Sequence, residues 1–186
     1  MFNFLKKKAK SVENDTVPAV EKTIESDVEQ KPTMEISDTD FAMPIDGKII
    51  PLTEVPDQVF AQGMMGQGFA IAPTGNTVYS PIDGKIVSIF PTKHAIGLVT
   101  DTGVDILIHV GVDTVKLKGQ GFDQLAEDGQ VVKRGDSLLK IDLSYIEANA
   151  PSSIIPIIFT NLSTQKVNVL KNGDQQHGET GILSIQ

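Results

Sequence analysis

The chain has 186 residues, 40% of them hydrophobic and 22% charged, which suits a water-soluble domain with a tail and lies far from a membrane-embedded composition. The absence of cysteine excludes disulfides, thiol catalysis and thiolate zinc sites. A formal charge of −8 argues against nucleic acid as a partner, because neutralising phosphates needs a basic footprint.

Residues 1–10, MFNFLKKKAK, carry four lysines and no acid. Phe2, Leu5 and Ala9 share a helical face beside Phe4, with Lys6, Lys7, Lys8 and Lys10 around it, so weak contact with an anionic membrane is expected here. No apolar run or small-residue cleavage site follows, which points away from secretion and towards the cytoplasm, peripheral to the inner face of the membrane. Residues 11–40 hold nine acids against Lys22 and Lys31, too few apolar groups to offset chain entropy, and are expected to be a flexible tether.

From residue 41 to residue 186 the texture changes to short β-rich runs broken by Gly, Pro, Asp and Asn. Strands are expected at Lys48–Pro51, Phe69–Pro73, Thr77–Tyr79, Gly84–Phe90, His94–Thr100, Val104–Val110, Ser137–Asp142, Ile155–Phe159, Lys166–Val169 and Gly181–Ile185. Gly121–Glu127 has room for one or two helical turns, and Ser144-Tyr145-Ile146-Glu147 has capping-box spacing before a segment ended by Pro151. Pro44-Ile45-Asp46-Gly47-Lys48-Ile49 recurs as Pro81-Ile82-Asp83-Gly84-Lys85-Ile86, more identity than turn chemistry demands, so two related half-motifs are expected. The fold class is all-β: an antiparallel β-sandwich or flattened barrel with an internal duplicated motif and one or two short helices.

Two histidines flank a hairpin signal. A four-residue loop at Thr100–Gly103 would pair Val99 with Val104 and set His94 directly opposite His109, on a face shared with Ile96, Leu98, Asp105 and Leu107. Ala95, Gly97, Val99, Val104, Ile106 and Ile108 would then face the core. A lone strand histidine is usually a satisfied core residue, but two opposed imidazoles suit chemistry. One can act as nucleophile while the other donates to an anion, or both can ligate zinc. Thr92, two residues before His94, can fix an imidazole nitrogen, and Asp113 can border the site. Other features read as structural. Gly63–Gly68 lacks a phosphate loop's Gly-Lys-Ser/Thr ending, Asp46 and Asp83 read as turn formers, and His177 sits in a polar loop as a solvated side chain. Gly129–Asp136 is similar to a turn-strand element of lipoyl and biotinyl carrier domains, without their modifiable lysine.

The motifs Val55-Pro56-Asp57, Val59-Phe60-Ala61, Gly66-x-Gly68, Pro73-Thr74-Gly75-Asn76, Thr92-x-His94-Ala95 and His109-x-Gly111-x-Asp113-Thr114-Val115, with Leu117-Lys118-Gly119, carry a resemblance. From about Phe41 onward the chain resembles the glucose-type enzyme IIA component of the bacterial phosphoenolpyruvate-dependent sugar phosphotransferase system. The resemblance implies an antiparallel β-sandwich in which His109 takes a phosphoryl group from the histidine phosphocarrier protein and passes it to a cysteine of a sugar-specific IIB or IICB component. It further implies that His94 assists, that Thr92 and the Gly111 carbonyl orient the rings, and that Asp57 and Asp113 border them. Val59, Phe60, Met64, Met65, Phe90, Ile96 and Leu107 would then form an apolar docking surface, its methionines suited to several partners. Met64 and Met65 depart from the aliphatic residues expected there, and Gln58 interrupts the usual apolar run, which bears on partner preference. No obligatory cofactor is implied; zinc on His94 and His109 would need a ligand from a partner. The competing readings are a zinc hydrolase, which lacks a third histidine on a suitable strand, and a purely regulatory protein that docks on transporters or metabolic enzymes.

Overall fold

The structure, a computed structural model, describes residues 34–37 and 39–186. The expected membrane contact of residues 1–10 and the tether after it lie outside the described residues, apart from a few residues at the tether's end.

Among the described residues thirteen strands run in chain order: β1 (Gly47–Ile50), β2 (Gln67–Pro73), β3 (Thr77–Tyr79), β4 (Gly84–Ile89), β5 (Ala95–Thr100), β6 (Asp105–His109), β7 (Phe122–Gln124), β8 (Val131–Val132), β9 (Ser137–Ile141), β10 (Ile155–Phe159), β11 (Val167–Val169), β12 (Gly173–Gln175) and β13 (Leu183–Ile185). Helices among the described residues are α1 (Gln58–Ala61), α2 (Leu143–Asn149) and single 3₁₀ turns at Leu52–Glu54 and Thr114–Leu117. All strand pairs are antiparallel. An eight-stranded sheet faces the ribbon β11–β13 and the three-stranded sheet β3–β9–β7 across one apolar core, a β-sandwich as the sequence predicts. Phe41 anchors that core against Phe69 and Phe159, with ring centroids 6.0 Å apart in both pairs. Ile36, on the tail side of the expected boundary, bridges to Ile185 and is buried.

The large sheet has the order β12-β1-β2-β10-β6-β5-β4-β8, a palindrome about the β10–β6 pair. The two repeats open its equivalent strands β1 and β4. Ala42 N–H donates to the Pro81 carbonyl and Tyr79 N–H to the Pro44 carbonyl, both at 2.8 Å, so the half-motifs exchange equivalent bonds. Each repeat's aspartate then holds a loop. Asp46 accepts from the backbone N–H and Nδ1 of His177, and Asp83 from the Arg134 N–H and the Lys133 ammonium. The aspartates are thus turn residues, as expected, but His177 is not an idle side chain. Its ring lies 2.8 Å from Asp46 and stacks on Tyr79 with centroids 4.5 Å apart.

Several elements differ from the sequence reading. Phe122–Gln124, expected to be helical, is strand β7, whose single buried residue, Phe122, leaves no period to read. β8 and β12 are two- and three-residue edge strands too short to show a pattern. Helix α2 is capped by Asp142, which accepts from Tyr145 N–H at 2.9 Å, rather than by Ser144.

The hairpin register is also shifted by one. Thr100 N–H donates to the Val104 carbonyl and Gly103, at φ +85°, closes a three-residue loop. The distant Asn161 pins it, donating to the Gly103 carbonyl and accepting from Asp105 N–H. His109 therefore faces Ala95, not His94, and Leu98 faces Ile106. Ile96 and Leu98 point into the core with Ile106 and Ile108, while Gly97 and Val99 join the opposite face with Asp105, Leu107 and His109.

On that outer face the halves of the sheet diverge. The segment 51–66 folds over the β2–β10 side and builds a second small core from Ile50, Val55, Phe60, Ala70, Val112 and Ile158. Among the described residues nothing comparable covers the β4–β5 side, and Val87 and Phe90 stand exposed there.

Candidate functional site

His94 and His109 meet at the junction of the covered and uncovered sides, although they are not ladder partners. His109 is the last residue of β6. His94 lies just before β5, where Lys93 at φ +58° turns the chain and the Val110 N–H still bonds the His94 carbonyl at 2.7 Å. This irregular end frees the His94 ring from strict alternation, and the rings stand edge to face with centroids 5.0 Å apart and planes at 83°. The sequence reading paired the right residues through the wrong register.

Each Nδ1 has a partner. His94 Nδ1 lies 2.6 Å from the Thr92 hydroxyl and His109 Nδ1 lies 2.8 Å from the Gly111 carbonyl. A carbonyl only accepts, so His109 Nδ1 carries the proton in that bond and the neutral ring keeps its lone pair on Nε2. Gly111 sits at φ +77°, and a Cβ there would lie 2.5 Å from the Thr114 methyl and 2.9 Å from the Ser152 carbonyl, so only glycine fits.

Electrostatics keep both rings neutral. Burial, reinforced by the neighbouring His109, pushes His94 down to about 4. Burial also lowers His109, opposed by its bond to Gly111 and by the charge of Asp57. Asp57 caps α1, accepting from Val59 N–H at 2.8 Å and Phe60 N–H at 3.3 Å. That short helix presses the Phe60 ring on His109, centroids 5.0 Å apart, while Phe90 meets His94 edge-on at 5.5 Å. The arrangement offers a nucleophilic nitrogen beside a second imidazole in a water-poor wall.

The expected docking residues divide. Val59, Met64, Met65 and Phe90 are exposed. Phe60 is buried behind His109, and Leu107 is half-buried against the small outer core. Ile96 is fully buried on the opposite face and is removed from the surface by the register correction. Asp113, at φ +61°, pairs with Lys116 at 2.5 Å in the exposed loop after His109. Two features were missed. Val115 is exposed in that same loop, and a hollow of about 200 Å³ opens over Gly97, walled by Val87, Phe90, Leu107 and Asp105. Counting alternation outward from a three-residue loop would have put Gly97 on this face. Among the described residues no three His, Asp or Glu side chains gather to hold a metal ion, so the third ligand of the hydrolase reading is not found among them.

Comparison with known proteins agrees with this architecture. Residues 39–165 match the family model described as phosphoenolpyruvate-dependent sugar phosphotransferase system, EIIA 1. The chain is 50% identical over 161 residues to the glucosamine-specific EIICBA component of Bacillus subtilis (strain 168), covering 87% of this chain and 25% of that protein. It is 50% identical over 133 residues to the glucose-specific EIICBA component of Staphylococcus saprophyticus, covering 72% and 20%. The chain thus spans a quarter or less of these curated relatives. The solved glucose permease IIA of Mycoplasma capricolum superposes with a TM-score of 0.76 at 41% identity, covering 82% of this chain and 96% of that one. No helix among the described residues is long and apolar enough to cross a membrane. The chain belongs to the EIIA 1 family of the phosphoenolpyruvate-dependent sugar phosphotransferase system.

Proposed function

We propose that His109 Nε2 is the phosphoacceptor and His94 its assistant. The observation that carries this reading is the bond from His109 Nδ1 to the Gly111 carbonyl, which leaves the Nε2 lone pair outside that bond on a half-buried ring. The phosphocarrier protein's phosphohistidine brings its phosphorus in line with that lone pair. The new N–P bond forms as the donor's N–P bond breaks, and the donor imidazole leaves with the electron pair. In the second step a cysteine thiolate of a IIB component attacks the same phosphorus, and His109 leaves. The sequence has no cysteine, so that acceptor lies on another part of the system. Phosphoryl transfer asks mainly for positioning and charge stabilisation. His94, neutral before the reaction, gains basicity once a phosphoryl dianion sits beside it, and its Nε2 then donates to a phosphoryl oxygen.

Val59, Met64, Met65 and Phe90 are the apolar ground on which both partners settle, and Phe90 also walls the hollow over Gly97. Asp57, whose charge reaches His109, and Asp113, in the loop after it, supply acidic groups to that ground. On this reading the protein works on the cytoplasmic side, free to meet soluble and membrane-held partners. Transporters or metabolic enzymes that dock on the same surface would compete with transfer. Zinc would bind His94 and His109 only when such a partner completes its shell, because two imidazoles leave a tetrahedral site half filled.

The test is reconstitution with phosphoenolpyruvate, enzyme I and the phosphocarrier protein. An acid-labile phosphate confined to His109 is expected. Phosphate on His94 or His177 instead would overturn the assignment.

A further inference from the structure

Thr114 is fully buried, and among the described residues only two other polar residues, Ser80 and His94, are buried. It opens the 3₁₀ turn that follows His109, directly after two left-handed residues, Gly111 at φ +77° and Asp113 at φ +61°. The backbone between His109 and Thr114 is heavily tied. Val110 N–H donates to the His94 carbonyl, Gly111 N–H to the Ile154 carbonyl and Val112 N–H to the Ser152 carbonyl. The Gly111 carbonyl takes His109 Nδ1. The Val110 carbonyl is bonded by a side chain: the Thr114 hydroxyl donates to it at 2.5 Å. That carbonyl and the Gly111 N–H belong to one peptide plane, now held at both edges. The Thr114 methyl meanwhile occupies the space a Cβ on Gly111 would need.

We propose that Thr114 is a positioning residue: by holding the Val110 carbonyl and packing against Gly111, it aims the Gly111 carbonyl at His109 Nδ1 and thereby fixes the His109 tautomer. Its consequence for transfer rests on His109 as phosphoacceptor, whereas the tautomer itself can be read without any phosphate. The hydroxyl is the active group, since an unpartnered carbonyl at the buried Val110 would turn to find another donor and carry the next peptide with it.

The experiment compares Thr114→Val and Thr114→Ser with the unmodified full chain by ¹⁵N NMR of the histidine rings and by the pH profile of phosphorylation. In the unmodified chain neutral His109 is expected to be protonated on Nδ1 alone. Thr114→Val, which keeps shape and loses the hydroxyl, should populate both tautomers and slow phosphorylation roughly tenfold, the lower end for outer hydrogen bonds that orient an imidazole. Losing the Gly111 bond removes an interaction that raises the His109 pKa, so the acid limb should move to lower pH. Thr114→Ser should restore tautomer, rate and limb. A Val variant that loses only thermal stability, with tautomer and limb unchanged, would overturn the proposal. Should that variant not fold, Thr114→Ser decides: a tautomer mixture despite the retained hydroxyl overturns it as well. An unmodified protein phosphorylated elsewhere would contradict the phosphoacceptor assignment while the ring spectra still tested Thr114.

Discussion

The two halves of the large sheet share a plan and differ in what covers them. Each has an aspartate at the head of its repeat clasping a loop, and each supplies four strands in mirrored order. On the β2–β10 side the segment 51–66 seals the outer face with its own small core. On the β4–β5 side no segment among the described residues covers the same face, and Val87, Phe90 and the hollow over Gly97 lie there. His109 stands at the seam, with Phe60 from the cover on one flank and His94 on the other. Duplication supplies the frame, and the proposed chemistry sits where the symmetry breaks. A carrier that must be approached by successive proteins needs such an edge, walled on one side and open on the other.

The sharpest way to test this contrast is to remove the group at the seam. His109→Ala should abolish phosphorylation while leaving the thermal unfolding profile close to that of the parent, because the ring is only half-buried and the frame does not depend on it. Phosphotransfer together with circular dichroism checks both halves of the statement. Next in size is His94→Gln, which should still accept phosphate but pass it to a IIB component roughly 10²–10³ more slowly, the usual loss when one oriented donor to a developing anion is removed. Unchanged transfer would remove His94 from the chemistry.

Breaking the symmetric frame should do less to transfer and more to stability. Asp46→Asn and Asp83→Asn each weaken a partly exposed clasp and should cost about 1 kcal/mol or less, measured by urea unfolding at neutral pH, with phosphorylation of His109 unaffected. Both aspartates are held below their ordinary range, so their contribution is present at neutral pH and disappears as the pH falls through their lowered values. A clasp variant that lost phosphorylation would couple frame and seam more tightly than this account allows.

The last effect is confined to acid. His94 titrates near 4 in the fold against 6.5 in an open chain, so between those values the unfolded state binds more protons. Stability should therefore decline as pH falls from about 6.5 towards 4, and His94→Gln should flatten that part of the curve. A slope that survives the substitution would assign it to other groups.

Most of the frame was legible in the sequence because local signals agree with the fold. The ten expected strands correspond to observed ones where apolar β-formers lie between turn residues, and the repeat revealed β1 and β4 as equivalents. The failures have non-local causes. The hairpin is one residue shorter in its loop because Asn161, more than fifty positions away, pins Gly103 and Asp105. That single residue moved Ile96 into the core and Gly97 to the surface. The two histidines nonetheless meet, since His94 sits beyond the regular ladder, after Lys93. His177 looked idle because its partners, Asp46 and Tyr79, are far off in the chain. Thr114 was visible only as a letter in a motif; its burial and its bond to Val110 needed the fold.

The central claim is that His109 reacts through Nε2 because Gly111 holds its Nδ1. The direct measurement is ³¹P–¹⁵N coupling in the phosphorylated, ring-labelled protein, which identifies the bonded nitrogen. The account predicts a single phosphoramidate on Nε2 of His109. A phosphoryl group on Nδ1 of that ring would contradict it.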